Sequence, residues 1–402
     1  MKYVIIQGDG MGDRRGAEPG AKTPLEAART PHFDRVAGCG SFGLIHTIPT
    51  GYPPGSDVGN LSLFGYDPRV YYTGRSPLEA AAMGVKLGPE DVSFRMNLVT
   101  MSGTDAEPVM ADYSAGHIPS EDAARIVADL NDRLADESFQ FYPGVSYRHL
   151  LVWRKGCQEM QTTPPHDITD QPALPHLPTG EGAEQLRRIM DASRALLTDH
   201  PVNRERRAAG KAPVSQVWLW GQGRAPSMPS FVSLHGLRGA CISAVDLVRG
   251  VAVYAGFDII HVPGATGYID TDYAAKGEYA LKVLADHDLV FVHIEAPDES
   301  GHMGSREEKI RAIESIDALI VGPLLDQLPA LGPFRLCIVS DHATPVSLRT
   351  HTPDPVPFAM VASEQLASTP RAVKYGEADA TASGVTIADG HTVIERLLSF
   401  PG

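Results

Sequence analysis

LVFVHIEAPDESGH, residues 289–302, is an apolar run that stops at an acid and ends on an Asp-x-x-x-His spacing. Its first six residues are mostly bulky and β-branched, and a proline follows, so they predict a short strand buried on both faces. Two other stretches share the layout. YVIIQ (3–7) leads to Asp9, and RLCIV (335–339) leads to Asp341 and His342, with His351 further on. In an open α/β sheet, ligands collect outside the carboxyl ends of the strands. Asp9, Asp298, His302, Asp341, His342 and His351 should therefore meet at one edge of a mostly parallel sheet flanked by helices. Asp and His donors without thiolates suit Mn²⁺, Zn²⁺ or Mg²⁺, and there are too many for one ion. Two divalent ions fit the number.

Each residue alone also admits an ordinary role. Asp9 in QGDGMGD can be a turn residue, and the glycines there only weakly resemble a phosphate-cradling loop. Asp298 and His302 can be a solvated i,i+4 pair; His342 and His351 can be loop histidines. Their joint occurrence behind three strands favours chemistry. Ser56 lies in TGYPPGSDVGNLSLFGYDP (50–68), where prolines and glycine precede an apolar stretch and mark a helix start. The common job of such a serine is an N-cap. The alternative is a hydroxyl at the positive helix end, beside a divalent ion, poised to attack phosphorus. The phosphoryl oxygens would then face the helix amides.

A chain of 402 residues is long enough for two domains. Its net charge of −14 argues against broad binding to nucleic acid or anionic membrane, so a phosphorylated partner would need local arginines. The N-terminal run is too short for a signal peptide, and four scattered cysteines without CxxC spacing point to a reduced, cytoplasmic protein. Because the donors lie at 9–56 and 298–351, a core of 1–87 and 179–402 is expected to be interrupted by a small α+β insertion at 88–178, serving as a lid or substrate domain. Thr23-Pro24-Leu25-Glu26 is a capping-box pattern. Arg75, Arg148 and Arg224 are candidate clamps for phosphate or carboxylate. His117 is a candidate acid–base group, and Asp57 and Asn60, beside Ser56, are candidates to touch substrate.

Eight motifs, QGDGMGD, GYPPGSDVGNLSLFGYDP, YYTGRSPLEAAAMGV, FRMNLVT, DYSAGHI, APDESGH, SDHATP and HTPDPVPF, span nearly the whole chain. Together they resemble the alkaline-phosphatase-like metalloenzymes, and within them the archaeal-type, 2,3-bisphosphoglycerate-independent phosphoglycerate mutases. The resemblance implies an isomerase that interconverts 3- and 2-phosphoglycerate through a phosphoserine at Ser56. It implies Asp298, His302 and His351 around one ion, and Asp9, Ser56, Asp341 and His342 around another, with Mn²⁺ foremost. A small phosphorylated metabolite would be the partner, and a homo-oligomer is compatible. Glu295 stands where the mutase branch would lead one to expect lysine. WLWGQGR (218–224) and GYIDTDY (267–273) also look closer to a homoserine-kinase-like branch, which keeps another phosphotransferase or a phosphatase as the alternative.

Overall fold

The computed structural model describes every residue except Pro19, Asp105 and Gly402. The chain forms two compact units, Met1–Tyr72 with Ser227–Gly402, and Thr73–Pro226.

In the first unit, the described residues build an eight-stranded sheet. At its centre are β1 (Lys2–Gly8), β2 (Leu289–Ile294) and β3 (Phe334–Val339). β1 runs parallel to both neighbours, pairing Val4 with Val290 and with Leu336. Gly239–Ile242 and Asp258–Ile259 extend the parallel sheet beyond β2. On the other side Val356–Ala362 is antiparallel to both β3 and Ser41–Ile45. The three central strands are predicted correctly because they are continuous apolar runs without a polar face, as burial on both sides requires.

Alternate side chains of these strands feed two layers. Val4, Ile6, Val290, Val292, Ile294, Leu336 and Ile338 are buried in one large core with helices Pro31–Cys39 and Arg306–Ile316. On the opposite face, helix α1 (Ser56–Leu63) lies over the sheet, and Phe64 at its end stacks on Phe291 with ring centroids 4.2 Å apart. Burying each such side chain stabilises the fold by about 1.5–3 kcal/mol. The capping box at Thr23 forms as expected, with both Thr23 and Glu26 side chains closing it. No helix of the described residues is long and apolar enough to cross a membrane.

The second unit is larger than the insertion expected at 88–178. The expected boundary assigned 179–226 to the core, yet Gln216–Arg224 pairs antiparallel with Val92–Gly103, from Val92↔Arg224 to Val99↔Gln216. That pairing carries the helices Ala183–Leu197 and Pro201–Ala208 into the second unit. Ser76–Ala82 also packs on these two strands, which moves the first boundary upstream of 88. Arg148–Trp153 pairs with the other edge of Val92–Gly103, and Ser120–Leu134 and Ala183–Leu197 close the layer.

Candidate active site and metal centre

Because β1, β2 and β3 are parallel, the chain leaves all three at the same sheet edge. Asp9 follows β1, and its amide donates to the Ile294 carbonyl at the end of β2 at 2.9 Å. Past β2, helix α2 (Ala296–Met303) begins with Pro297 in its first turn and sets Asp298 and His302 one turn apart. Asp341 and His342 follow β3. Gly10 allows the crossing: its φ is +58°, and a Cβ there would lie 2.5 Å from both Asp298 Oδ1 and Thr344 Oγ1.

Two clusters result. His302 Nε2 lies 3.2 Å from Asp298 Oδ2 and 2.9 Å from His351 Nε2, and His351 Nε2 is 3.5 Å from Asp298 Oδ1. His342 Nε2 lies 3.3 Å from Asp341 Oδ2, 3.5 Å from Asp9 Oδ1 and 3.2 Å from Ser56 Oγ. His342 also groups with Asp298 and His351, so it stands between the clusters.

Hydrogen bonds behind the rings fix which nitrogen of each carries the free lone pair. His302 Nδ1 is 3.0 Å from the Arg349 carbonyl, which can only accept; that proton leaves the lone pair of a neutral ring on Nε2. Thr344 donates its hydroxyl to Asp298 and so accepts from His342 Nδ1 at 3.2 Å, again freeing Nε2. The carboxylates behave as a crowded buried set. Burial, then the charges of Asp341, Glu295 and Asp298, push Asp9 well above the usual carboxylate range. Burial opposes ionisation of Asp298 too, yet hydrogen bonds from His302 and His351 hold it well below that range. The hydrogen bond to Asp298 pushes His302 up to about 9, and burial pushes His342 down. Asp9 Oδ1 is buried with no hydrogen-bond partner among the described residues. A fully buried acid with an orphaned oxygen, 3.5 Å from the free Nε2 of His342, fits a divalent cation.

Ser56 is the first residue of α1, and Gly55 occupies the N-cap with no side-chain cap. The capping role is thereby excluded, and the hydroxyl instead faces His342. Gly59, one turn on, is where the helix touches the β3 exit: a Cβ there would lie 2.6 Å from the Asp341 carbonyl. Asn60 is fully buried and donates to the Ser56 carbonyl at 2.9 Å and to Asp341 Oδ2 at 3.2 Å. Asp57 accepts from the Tyr72 hydroxyl at 2.7 Å and from the Val58 amide. Both residues therefore fasten the helix start.

The remaining candidates fall in the second unit. Arg75 Nε is 3.4 Å from Glu79, and Arg224 donates to the Gly156 carbonyl at 3.2 Å. Arg148 is exposed beside Tyr147, and His117 is exposed with φ of +48°. Sequence reasoning missed Arg95, which is buried, lies 2.9 Å from Glu79 and sits over Trp220 at 4.2 Å. Burial lowers it to about 10; Glu79 opposes this, while Arg75 and Arg148 add like charge. A cation inside the apolar strand stretch SFRMNLV was the available signal. In the first unit, sequence reasoning missed the buried Lys309, which donates to the Gly12 and Thr344 carbonyls and to Asp13 Oδ2 at 2.7–2.9 Å, tying together two loops that carry candidate ligands. It also missed His293, hidden within the apolar run of β2, whose Nε2 is 2.8 Å from Asp9 Oδ2 and 3.3 Å from Glu295.

A serine at a helix start, ringed by aspartates and histidines from the carboxyl edge of a parallel sheet, defines a phosphoryl-transfer class of α/β metalloenzyme. The family model for 2,3-bisphosphoglycerate-independent phosphoglycerate mutase matches residues 37–203. A protein of Geobacter sulfurreducens described as a probable enzyme of that name is 52% identical over 99% of this chain and 100% of its own. A Methanosarcina acetivorans protein described as a 2,3-bisphosphoglycerate-independent phosphoglycerate mutase is 48% identical over 96% of each chain. Among solved structures, the PH0037 protein from Pyrococcus horikoshii shares 29% identity and a TM-score of 0.80, covering 99% of this chain and 96% of its own. The cofactor-independent phosphoglycerate mutase from Thermoplasma acidophilum shares 27% and 0.67 over the whole of both chains. This chain belongs to the 2,3-bisphosphoglycerate-independent phosphoglycerate mutase family.

Proposed function

We propose that this protein interconverts 3-phosphoglycerate and 2-phosphoglycerate through a phosphorylated Ser56. The observation that carries the mechanism is the Ser56 hydroxyl, 3.2 Å from His342 Nε2 at the centre of a buried Asp–His cluster. The family membership supplies the substrate. The homoserine-kinase-like alternative is not favoured, since relatives at about half identity over nearly the full chain are named mutases.

Asp298, His302 and His351 would hold one divalent cation, and Asp9, Ser56, Asp341 and His342 a second, with Mn²⁺ the best match to mixed carboxylate and imidazole donors. Bound there, the ions would supply Lewis acidity toward the serine oxygen and the phosphoryl oxygens. The chain's own residues do the rest. Asn60 holds the Ser56 turn against Asp341, and Thr344 and Arg349 fix the imidazole tautomers. Ser56 Oγ bonds to phosphorus as the bond from phosphorus to the glycerate oxygen breaks. The serine proton leaves and the released alkoxide takes one up. In the second half the other glycerate hydroxyl loses its proton and takes the phosphoryl group back, restoring Ser56. His117 is our candidate to relay the glycerate protons. Arg75, Arg148 and Arg224, with Arg95 behind Glu79, are our candidates to recognise the phosphate and carboxylate, Arg being suited to bidentate capture. Asp57 stays a candidate for substrate contact.

The second unit, in this proposal, excludes water while phospho-Ser56 exists. Free cysteines at 39, 157, 241 and 337 are consistent with a cytoplasmic enzyme. The deciding experiment assays the purified chain with Mn²⁺ and no 2,3-bisphosphoglycerate, comparing 3-phosphoglycerate with homoserine plus ATP. Isomerisation and an acid-quenched phosphopeptide containing Ser56 are expected. Homoserine phosphorylation without isomerisation would sink the mutase assignment.

A further inference from the structure

Beneath the Ser56 helix, the central sheet carries an amide where a strand buried on both faces would place an apolar side chain. Gln7 on β1 pairs with His293 on β2 and with Val339 on β3, so the three side chains stand side by side on one sheet face. The next row down is Ile5, Phe291 and Cys337. Helix α1 crosses this face: Asn60 donates to Asp341 Oδ2 just past β3, and one turn on Phe64 stacks on Phe291 of β2. Because β1 lies between β2 and β3, the turn from Asn60 to Phe64 passes over β1. Four helix residues rise about 6 Å, and two strand residues about 6.6 Å. With Phe64 above the Phe291 row, Asn60 therefore stands above the row of Gln7. We propose that Gln7 and Asn60 hold ordered water between them, and that Gln7 positions the Ser56 turn through it. The inference rests on the reading of Ser56 as nucleophile and adds a positioning residue to it.

Polar atoms without partners carry this inference. Gln7 is fully buried, and among the described residues neither its amide nitrogen nor its amide oxygen has a hydrogen-bond partner. Asn60 is fully buried too, and its Oδ1 is in the same state. The orientation of Asn60 follows from its other bonds. Nδ2 donates to the Ser56 carbonyl at 2.9 Å and to Asp341 Oδ2 at 3.2 Å, and exchanging the two ends would set Oδ1 against two acceptors. Oδ1 therefore needs a donor, and the neighbouring side chains are already engaged. His293 uses both ring nitrogens, one 2.8 Å from Asp9 Oδ2 and the other 3.0 Å from Ser243 Oγ. The Thr47 hydroxyl donates to the Asp341 carbonyl. Gln7 Nε2 is the donor without a use.

Buried amides are ordinarily satisfied by protein or by ordered water. A water that accepts from Gln7 Nε2 can donate to Asn60 Oδ1, and a second water bonded to the first can donate to Gln7 Oε1. Donation to Oδ1 polarises the Asn60 amide and strengthens its two N–H bonds. Those bonds hold the first turn of α1 against the β3 exit, where Ser56 Oγ lies 3.2 Å from His342 Nε2. Removing Gln7 loosens that turn without touching the serine.

The test assays full-length wild type, Gln7→Leu, Asn60→Ala and the double variant with Mn²⁺ and 3-phosphoglycerate. Gln7→Leu should lower kcat roughly tenfold and leave KM within about twofold, because the serine shifts while no substrate contact is lost. Its melting temperature should match or exceed that of wild type, since an apolar side chain replaces a desolvated amide. In the Asn60→Ala background the leucine should cost nothing further, because its effect runs through Asn60. An unchanged kcat in Gln7→Leu, or losses that multiply in the double variant, overturns the proposal. A second measurement needs neither variant nor activity. A high-resolution crystal structure of the metal-free protein should show ordered water within hydrogen-bonding distance of both Gln7 Nε2 and Asn60 Oδ1. A dry contact there overturns the bridge. Wild type that fails to isomerise 3-phosphoglycerate would instead strike the mutase reading, and the crystal structure would still decide the water.

Discussion

The first unit gathers acids and imidazoles; the second gathers arginines. Their assembly follows different rules. In the first, Asp9, Asp298 and Asp341 share one edge because three parallel strands end there, so topology alone brings them together. In the second, Arg75 precedes a helix, Arg95 lies mid-strand, and Arg148 opens another strand. Only antiparallel register and packing on Glu79 and Trp220 bring these three into mutual influence. The proposed metal centre thus rests on the most regular part of the fold, and the arginines proposed for anion recognition on a more idiosyncratic one.

The sharpest way to break this contrast is Ser56→Ala. Mutase turnover should fall by roughly four orders of magnitude or more, since a covalent step disappears. Thermal stability should stay near wild type, because the hydroxyl caps no helix. Substantial residual isomerisation would remove Ser56 as nucleophile. Next in size is metal loss. Chelation should abolish turnover and Mn²⁺ should restore it, while His351→Ala should lower the metal count by one and keep the far-ultraviolet spectrum of wild type. Full activity after exhaustive chelation would end the metal-centre assignment.

Lys309→Met tests the support of the first unit. It leaves Asp13 buried without its partner, and breaking such a pair costs about 3–5 kcal/mol. Chemical denaturation should register that loss, with weaker metal binding as the linked loops slacken. Arg148→Ala, in contrast, should leave stability within about 0.5 kcal/mol of wild type, as exposed positions usually do. It should raise phosphoglycerate hydrolysis several-fold relative to isomerisation. Parallel loss of both rates would make Arg148 a structural residue and remove the main support for a water-excluding second unit.

The smallest effect concerns pH. The folded value of His302, about 9 in the metal-free chain, lies above its ordinary 6.5. Proton-linked stabilisation of the metal-free protein is therefore fully present below 6.5 and lost as pH rises through 9. The ion must displace that proton, so apparent Mn²⁺ affinity should climb by up to about tenfold per pH unit across this window. Calorimetry in buffers of different ionisation heat measures the proton release. A flat affinity profile would show that His302 is not a ligand.

Much of the paired centre was legible in the chain because its signals are local: an apolar run, then an acid, repeated three times. His293 was not, since a histidine within LVFVHI is indistinguishable by pattern from a strand residue. Glu295 drew notice only as a departure from an expected lysine. Arg95 was equally hidden, its burial depending on Glu79 and Trp220 from distant positions. The domain boundary failed for a related reason: QVWLWGQGR has the apolar texture of a core strand, and texture does not say which sheet a strand joins.

The sequence by itself determined the parallel strands, the α1 start at Ser56 and the seven proposed ligands, because strand length, helix punctuation and donor type are properties of short segments. Only the tertiary structure decided that Gln216–Arg224 joins the second unit's sheet, that Thr344 and Arg349 set the imidazole tautomers, and that Gln7 and His293 stand side by side behind Asp9. Those facts depend on register, and on hydrogen bonds between residues up to hundreds of positions apart, which no local pattern encodes.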